Sequence, residues 1–197
     1  SNIALTFNIS WGEEKAHEIL EELKNHEVRA TFFLSGEWAE RHPDIVKKIV
    51  EHEHEIGMLG YRYKSYIEQD ISQVRKDLNV AREIFKKLDL PDIHLLRTPN
   101  GHFNEDIIDL AEELQLKVAH WNVNPHDWKN PGVNKIVDTV MKDTSNGDII
   151  LLHASDSVKQ THDALKTILP GLKNKGFTFV TISEMMNQAK AEAKLVE

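Results

Sequence analysis

Ile3-Ala4-Leu5-Thr6-Phe7-Asn8-Ile9-Ser10-Trp11-Gly12 is the stretch that decides the fold. Its first seven residues form an apolar, β-branched run of strand length, and a polar turn comes directly after. A strand opening a chain of this kind has two common continuations. A glycine-rich phosphate loop would announce a nucleotide-binding sheet, but Ser10-Trp11-Gly12 carries no such loop, which argues against that fold. The chain continues instead with a helical pattern over Glu13 to Asn25, with Ala16, Ile19, Leu20 and Leu23 at helical spacing, and then a second strand, Ala30 to Leu34.

The alternation continues to the end. Helices are predicted over Pro43 to His52, Asp70 to Leu88, Asn104 to Leu114, Val133 to Asp143 and Ser157 to Lys173, with a last one from Ser183. Pro43 suits a first turn, and Asn104 is a good N-cap with Glu105 and Asp106 at the positive end. Between them lie strands over Glu55 to Leu59, His94 to Arg97, Val118 to Val123, Asp148 to His153 and Phe177 to Ile182. Strands that alternate with helices pair in parallel through right-handed crossovers. Seven or eight such units in 197 residues fit one domain spanning residues 1–197, an α/β chain folded as a distorted (β/α) barrel of about seven parallel strands. An open, doubly wound sheet is the alternative. The tail from Lys190 is expected to fray.

Composition narrows the function classes. With 24 basic and 32 acidic residues the formal charge is −8, and no basic run is present, so nucleic acid is a poor partner. Cysteine is absent, which removes thiol catalysis, disulfides and cysteine-type zinc sites. No stretch approaches 18 apolar residues, so none is long enough to span a membrane. Ser1-Asn2 running straight into a strand reads as a tag remnant, and such a start is compatible with a removed signal peptide or anchor.

In a (β/α) barrel, functional groups gather at the C-terminal ends of the strands. Five sequence motifs fall there in order: Thr6-Phe7-Asn8-Ile9, Leu59-Gly60-Tyr61-Arg62-Tyr63, Arg97-Thr98-Pro99-Asn100-Gly101, Asn124-Pro125-His126-Asp127-Trp128 and Leu151-Leu152-His153. Together they resemble the polysaccharide deacetylase family, the NodB-homology or carbohydrate esterase family 4 fold. Members use a divalent metal such as zinc to remove N-acetyl groups from chitin-like or peptidoglycan sugars.

The resemblance implies a role for each motif. Asn8 stands where the family has its catalytic base, and an amide cannot accept a proton at neutral pH. Asn8 is left to orient a water or a sugar hydroxyl, or to serve as a satisfied polar strand end. Ile9, Leu59 and Tyr63 stand at the three metal-ligand positions, and none is a plausible ligand, so no cofactor is expected. Arg97 would orient the base. With no aspartate at position 8, Asp127 is the acceptor expected for it. The backbone N–H at Asn100 would help hold an oxyanion. Asn124 stands where an aspartate is often found. Asp127 would tune His153, the general acid, while Trp128 and Leu151 would wall the acetyl pocket. The bland alternatives are a structural arginine, a core tryptophan and a structural strand-end histidine. His52 and His54 precede their strand and read as surface residues. His102, His126 and His153 all come after strand ends and form the one other histidine set the chain offers for a metal.

The expected catalytic set is therefore His153, Asp127, Arg97 and Asn8, with Trp128, Leu151, Asn100 and Tyr63 as substrate-binding residues and no metal ligand. The resemblance implies a bacterial, extracytoplasmic or spore-associated protein whose partner is N-acetylated peptidoglycan or chitin-like glycan. The Asn-Ile-Ser-Trp-Gly form of the first motif resembles a sporulation-associated branch. Two functions compete: a deacetylase with a degenerate, weak or inactive site, and a glycan-binding or scaffolding pseudoenzyme. A purely structural wall or coat component is a third.

Overall fold

The computed structural model describes residues 1–196. Seven strands, β1 (Asn2–Ile9), β2 (Thr31–Leu34), β3 (Glu55–Met58), β4 (Leu95–Leu96), β5 (Lys117–Val118), β6 (Ile149–His153) and β7 (Thr178–Phe179), form one parallel sheet in the order β5-β4-β3-β2-β1-β6, with β7 also on β1. The ends of that path meet: Val123 bridges Ile150, and the Asn122 side-chain carbonyl takes the Ile149 N–H at 2.8 Å. The sheet thus closes into a distorted barrel rather than staying open. Outside it run α1 (Glu14–Asn25), α2 (Gly36–Arg41), α3 (Pro43–Glu51), α4 (Ile71–Lys87), α5 (Glu105–Glu113), α6 (Val133–Asp143), α7 (Thr161–Asn174) and α8 (Ile182–Val196).

Strand alternation sorts β1 into two layers. Ile3, Leu5, Phe7 and Ile9 join the large apolar cluster packed under the helices. Ala4 belongs to a second, smaller cluster inside the barrel with Phe33, Leu59, Leu95, Ala119 and Ile182, and Met185 and Met186 of α8 close that layer. Thr6 and Asn8 continue the inward face. Their register partners are Leu151 and His153 on β6, which places Asn8 and His153 side by side at the C-terminal rim.

Several predicted elements are shorter in the structure. Val118 to Val123 is a two-residue strand plus one bridge, because the carbonyls of Ala119 and His120 are taken by the Arg97 side chain instead of a neighbouring strand. Residues 157–160 are non-helical and lead into α7, whose helix runs on through Pro170. α2 has no counterpart among the predicted helices. It is six residues long, and Ser35 caps it by accepting the Trp38 N–H at 3.2 Å. α8 is helical through Val196, while Glu197 lies outside the described residues.

His54 corrects the expectation of a surface histidine: it is only 8% exposed. Its Nδ1 accepts the Ala30 N–H at 3.0 Å, joining the start of β3 to the turn before β2. Nδ1 must therefore be unprotonated, and burial lowers the pKa to about 4, with His52 and Arg29 acting in the same direction. The folded chain binds this proton less readily than the unfolded one, so His54 contributes stability above about pH 6.5. That contribution falls as the pH drops and is gone below about 4. An unfolding series from pH 7 to 4 should show a loss of about 3 kcal/mol that is absent in His54→Gln.

Candidate glycan site

Arg97 organises the rim. It is 1% exposed, stands inside the barrel, and lies over the Phe33 ring at 4.1 Å. Its Nη1 donates to Thr6 Oγ1 at 2.9 Å and to Asn8 Oδ1 at 3.0 Å. Nη2 donates to the His120 carbonyl at 3.0 Å, and Nε to that of Ala119 at 3.2 Å. Asp127 is not its partner, contrary to the sequence expectation. The guanidinium is met by a hydroxyl, an amide oxygen and two peptide carbonyls, all neutral. Burial pulls its pKa down to about 9, with the Tyr63 phenol acting the other way, so it stays charged at neutral pH.

This pairing fixes the Asn8 amide. A guanidinium only donates, so it must meet Oδ1, and the Asn8 NH2 group is left as the free end of the side chain. At position 8 the rim therefore turns an amide NH2 group toward the cavity.

Asp127 is fully buried and committed elsewhere. One oxygen takes the His153 ring at 2.8 Å through Nδ1; the other accepts the His153 backbone N–H at 2.8 Å and the Thr161 hydroxyl at 2.6 Å. Nδ1 therefore carries the proton, and Nε2 is the nitrogen left for chemistry. The turn that delivers Asp127 is built locally. His126 at φ 54° and Asn130 at φ 51° bracket it. Asn124 accepts the His126 N–H at 2.9 Å, and Asn130 binds both the Ser157 carbonyl and the Lys159 N–H across the loop after β6.

Around one open cavity of about 440 Å³ the structure gathers Asn8, Tyr63, Asn100, Trp128, Leu151 and His153. Arg97 and Asp127 sit behind this lining. Trp128 is 52% exposed, so it is a wall and not core. Tyr63 reaches toward the Asn100 N–H. Burial raises its pKa, and that N–H and Arg97 only partly offset the rise, so the hydroxyl stays protonated. Gly101 comes after Asn100 at φ 73°; a Cβ there would stand 2.5 Å from the Trp121 ring, so glycine is needed for the turn to approach it.

The lining also holds Trp11, Trp121 and Ser155, to which the sequence motifs assign no role. Trp11 lies two residues past the end of β1, a position that was a usable signal. Trp121 and Ser155 had none, since they reach the rim only through the barrel closure and through the Ser10 N–H to Ser155 Oγ contact at 3.3 Å.

The familial metal does not fit these residues. Ile9 and Leu59 are both fully buried, in two different apolar clusters, one under the helices and one inside the barrel. Tyr63 is a neutral phenol. Among the described residues, no three His, Asp or Glu side chains are grouped so as to hold an ion. The alternative histidine set is not assembled either: His102 Nδ1 faces Ser65 Oγ at 2.9 Å, away from the cavity that His126 and His153 line.

This barrel and rim define a class, and the chain belongs to it: the sequence profile of the polysaccharide deacetylase family matches residues 1–119, so this is a member of that family. A peptidoglycan-N-acetylglucosamine deacetylase of Bacillus cereus is 34% identical over 189 residues, covering 93% of this chain and 87% of that protein. The uncharacterized protein YlxY of Bacillus subtilis is 29% identical over 188 residues, 95% of this chain. Among solved structures, a family 4 pseudoenzyme from Bacillus anthracis superposes with a TM-score of 0.87 at 30% identity over 93% of this chain, and a mutant of that pseudoenzyme is described as having restored enzymatic activity. The chain spans 58% of the length of YlxY and 64% of that pseudoenzyme's chain.

Proposed function

We propose that this domain holds N-acetylated cell-wall or spore-cortex glycan at the rim cavity, outside the bacterial cytoplasm, and turns it over weakly or not at all. The observation that carries the reading is the Asn8 amide. Arg97 donates to its oxygen, so the amide turns its NH2 group outward at the catalytic-base position, and an amide takes up no proton at neutral pH. The apolar burial of Ile9 and Leu59 points the same way. What survives is a general-acid arrangement, His153 on Asp127, beside an acetamide-sized wall of Trp128 and Leu151. General acid catalysis alone supplies about 10²–10⁴-fold, against the roughly 10⁶-fold or more of a working enzyme. Aromatic faces and a polar rim can hold a sugar without reacting with it.

In this reading Trp128 stacks on a sugar ring, the Asn8 amide donates to the acetamide carbonyl, and the Asn100 N–H joins it when the carbonyl displaces the Tyr63 hydroxyl, which then closes the side. A second reading, a slow deacetylase that needs only the acid, draws on the intact 2.8 Å Asp127–His153 contact. Calorimetric titration with an N-acetylglucosamine tetramer tests binding. Trp128→Ala should weaken affinity about tenfold or more with little change in melting temperature. His153→Ala should change affinity modestly. Equal losses of affinity and stability in Trp128→Ala would make Trp128 a packing residue, and no binding by the wild type at millimolar glycan would leave a purely structural role.

A further inference from the structure

A second cavity, of about 530 Å³, adjoins the first and shares Ser10, Trp11 and Tyr63 with it. Trp11 is 64% exposed at this junction. Its neighbour Trp38 donates Nε1–H to the Gly12 carbonyl at 2.7 Å, so the far wall is pinned to the turn that carries Trp11. The two cavities are one groove with an aromatic ring at its middle, the arrangement that accommodates consecutive sugars of a strand.

The charges of the second cavity are unevenly satisfied. Arg41 is paired with Glu37 at 3.1 Å, and Glu13 lies 3.8 Å from His42. Arg62 and Lys64 also line the cavity, and no acid among the described residues pairs with either. Two unpaired cations on one wall stand out in a chain of net charge −8. Their backbone is held in place. Asp77 of α4 accepts the N–H of Tyr61 at 2.9 Å and of Arg62 at 3.0 Å, and also the Tyr66 hydroxyl. Gly60, at φ 81°, makes that approach feasible, since a Cβ there would stand 2.0 Å from the Tyr66 hydroxyl.

We propose that this second cavity is a carboxylate-reading subsite. Arg62 and Lys64 take an acidic group carried by the glycan residue next to the one at the rim, so the groove prefers acid-bearing wall glycan over neutral chitin-like chains. The inference rests on glycan binding at the rim and adds the chemistry of the neighbouring unit. Arg supplies a planar fork matched to a carboxylate, and Lys a point charge beside it. Both are exposed, so the gain is modest and screened by salt.

The test titrates three tetrasaccharides into the wild-type chain: the neutral N-acetylglucosamine tetramer, a muramic-acid-containing tetramer with free lactyl carboxylates, and the same strand with peptide stems. At low salt the acidic ligands should bind about tenfold tighter than the neutral one. The second and third arms tell whether the acid recognised is on the sugar or on the stem. Arg62→Ala/Lys64→Ala should erase the preference, leave neutral-tetramer affinity unchanged and keep the melting temperature. Arg41→Ala should keep the preference. Equal affinity of the wild type for neutral and acidic ligands, or a preference that survives the double substitution, overturns the subsite alone. Failure of the wild type to bind any of the three overturns the subsite together with the reading of the rim.

Discussion

Replacing Asn8 and Ile9 by aspartate and Leu59 and Tyr63 by histidine together is expected to create a zinc site at positions whose present side chains do not fit one. Two imidazoles and a carboxylate are a sufficient protein ligand set for a catalytic-type zinc. Position 9 ends β1 and position 59 directly follows β3, so both stand at the rim, and the new polar side chains have to turn out of their separate apolar clusters to meet at one ion. Single replacements should not bind the ion, and they should be costly. Ile9 is fully buried among apolar side chains, so Ile9→Asp alone puts an unpaired carboxylate into the core at about 3–5 kcal/mol. Zinc binding should recover part of that in the quadruple variant, since a ligand at about 1,000 times its Kd stabilises by about 4 kcal/mol. The melting temperature of the quadruple variant should therefore rise with added zinc and that of the wild type should not. A wild-type shift of equal size, or none in the quadruple variant, would contradict the reading of these positions.

Arg97→Ala should be the most damaging single substitution at the rim. It removes the donor for four acceptors at once, Thr6, Asn8, Ala119 and His120, and empties a large buried volume. Removing a buried cation without a carboxylate partner relieves some desolvation, but four orphaned acceptors and a cavity outweigh that. A loss of about 3–5 kcal/mol is expected, which for a chain of this size lowers the melting temperature by about 10 °C. Arg97→Lys keeps the charge but cannot reproduce the planar fork, and should recover little. The Arg97→Ala change should also loosen the barrel closure, because Arg97 holds the Ala119 and His120 carbonyls just ahead of the bridge at Val123. Hydrogen exchange in the 119–124 segment should accelerate before the rest of the barrel. An Arg97→Ala chain with wild-type stability and protection would show that the closure rests on other contacts.

The barrel was legible from β1 outward, because an apolar run at the start and helix–strand alternation afterwards leave few topologies. The five motifs also placed most of the rim residues, since each lies at a strand end and a parallel barrel brings all strand ends to one face. What stayed hidden depended on register. Asn8 and Asp127 were both acceptors at strand ends, and nothing in their order says which one Arg97 reaches. The pairing of Asn8 with His153 in the β1–β6 register, and the capture of Asp127 by His153 and Thr161, decide it. His54 was misplaced because it precedes its strand in sequence, while the turn before β2 folds over it and uses its ring as an acceptor. α2 was missed because six residues opening with glycine carry too little periodicity. Trp11 was visible but unassigned, and its position between two cavities emerges only when the loops after β1 and β3 are brought together.

The side chains at positions 8, 9 and 59 are each satisfied by their surroundings. Arg97 has its acceptors, Asp127 its donors, and Ile9 and Leu59 their apolar neighbours. The central claim is that this rim holds acetylated glycan without hydrolysing it at an enzyme's rate. Its most direct test is the amine released from N-acetylglucosamine oligomers by the wild-type chain after equilibration with zinc, run beside His153→Ala. The account predicts slow or no release by the wild type, at most the roughly 10²–10⁴-fold that a general acid supplies over the His153→Ala background. Release by the wild type at a working deacetylase's rate, about 10⁶-fold or more over background, would contradict it.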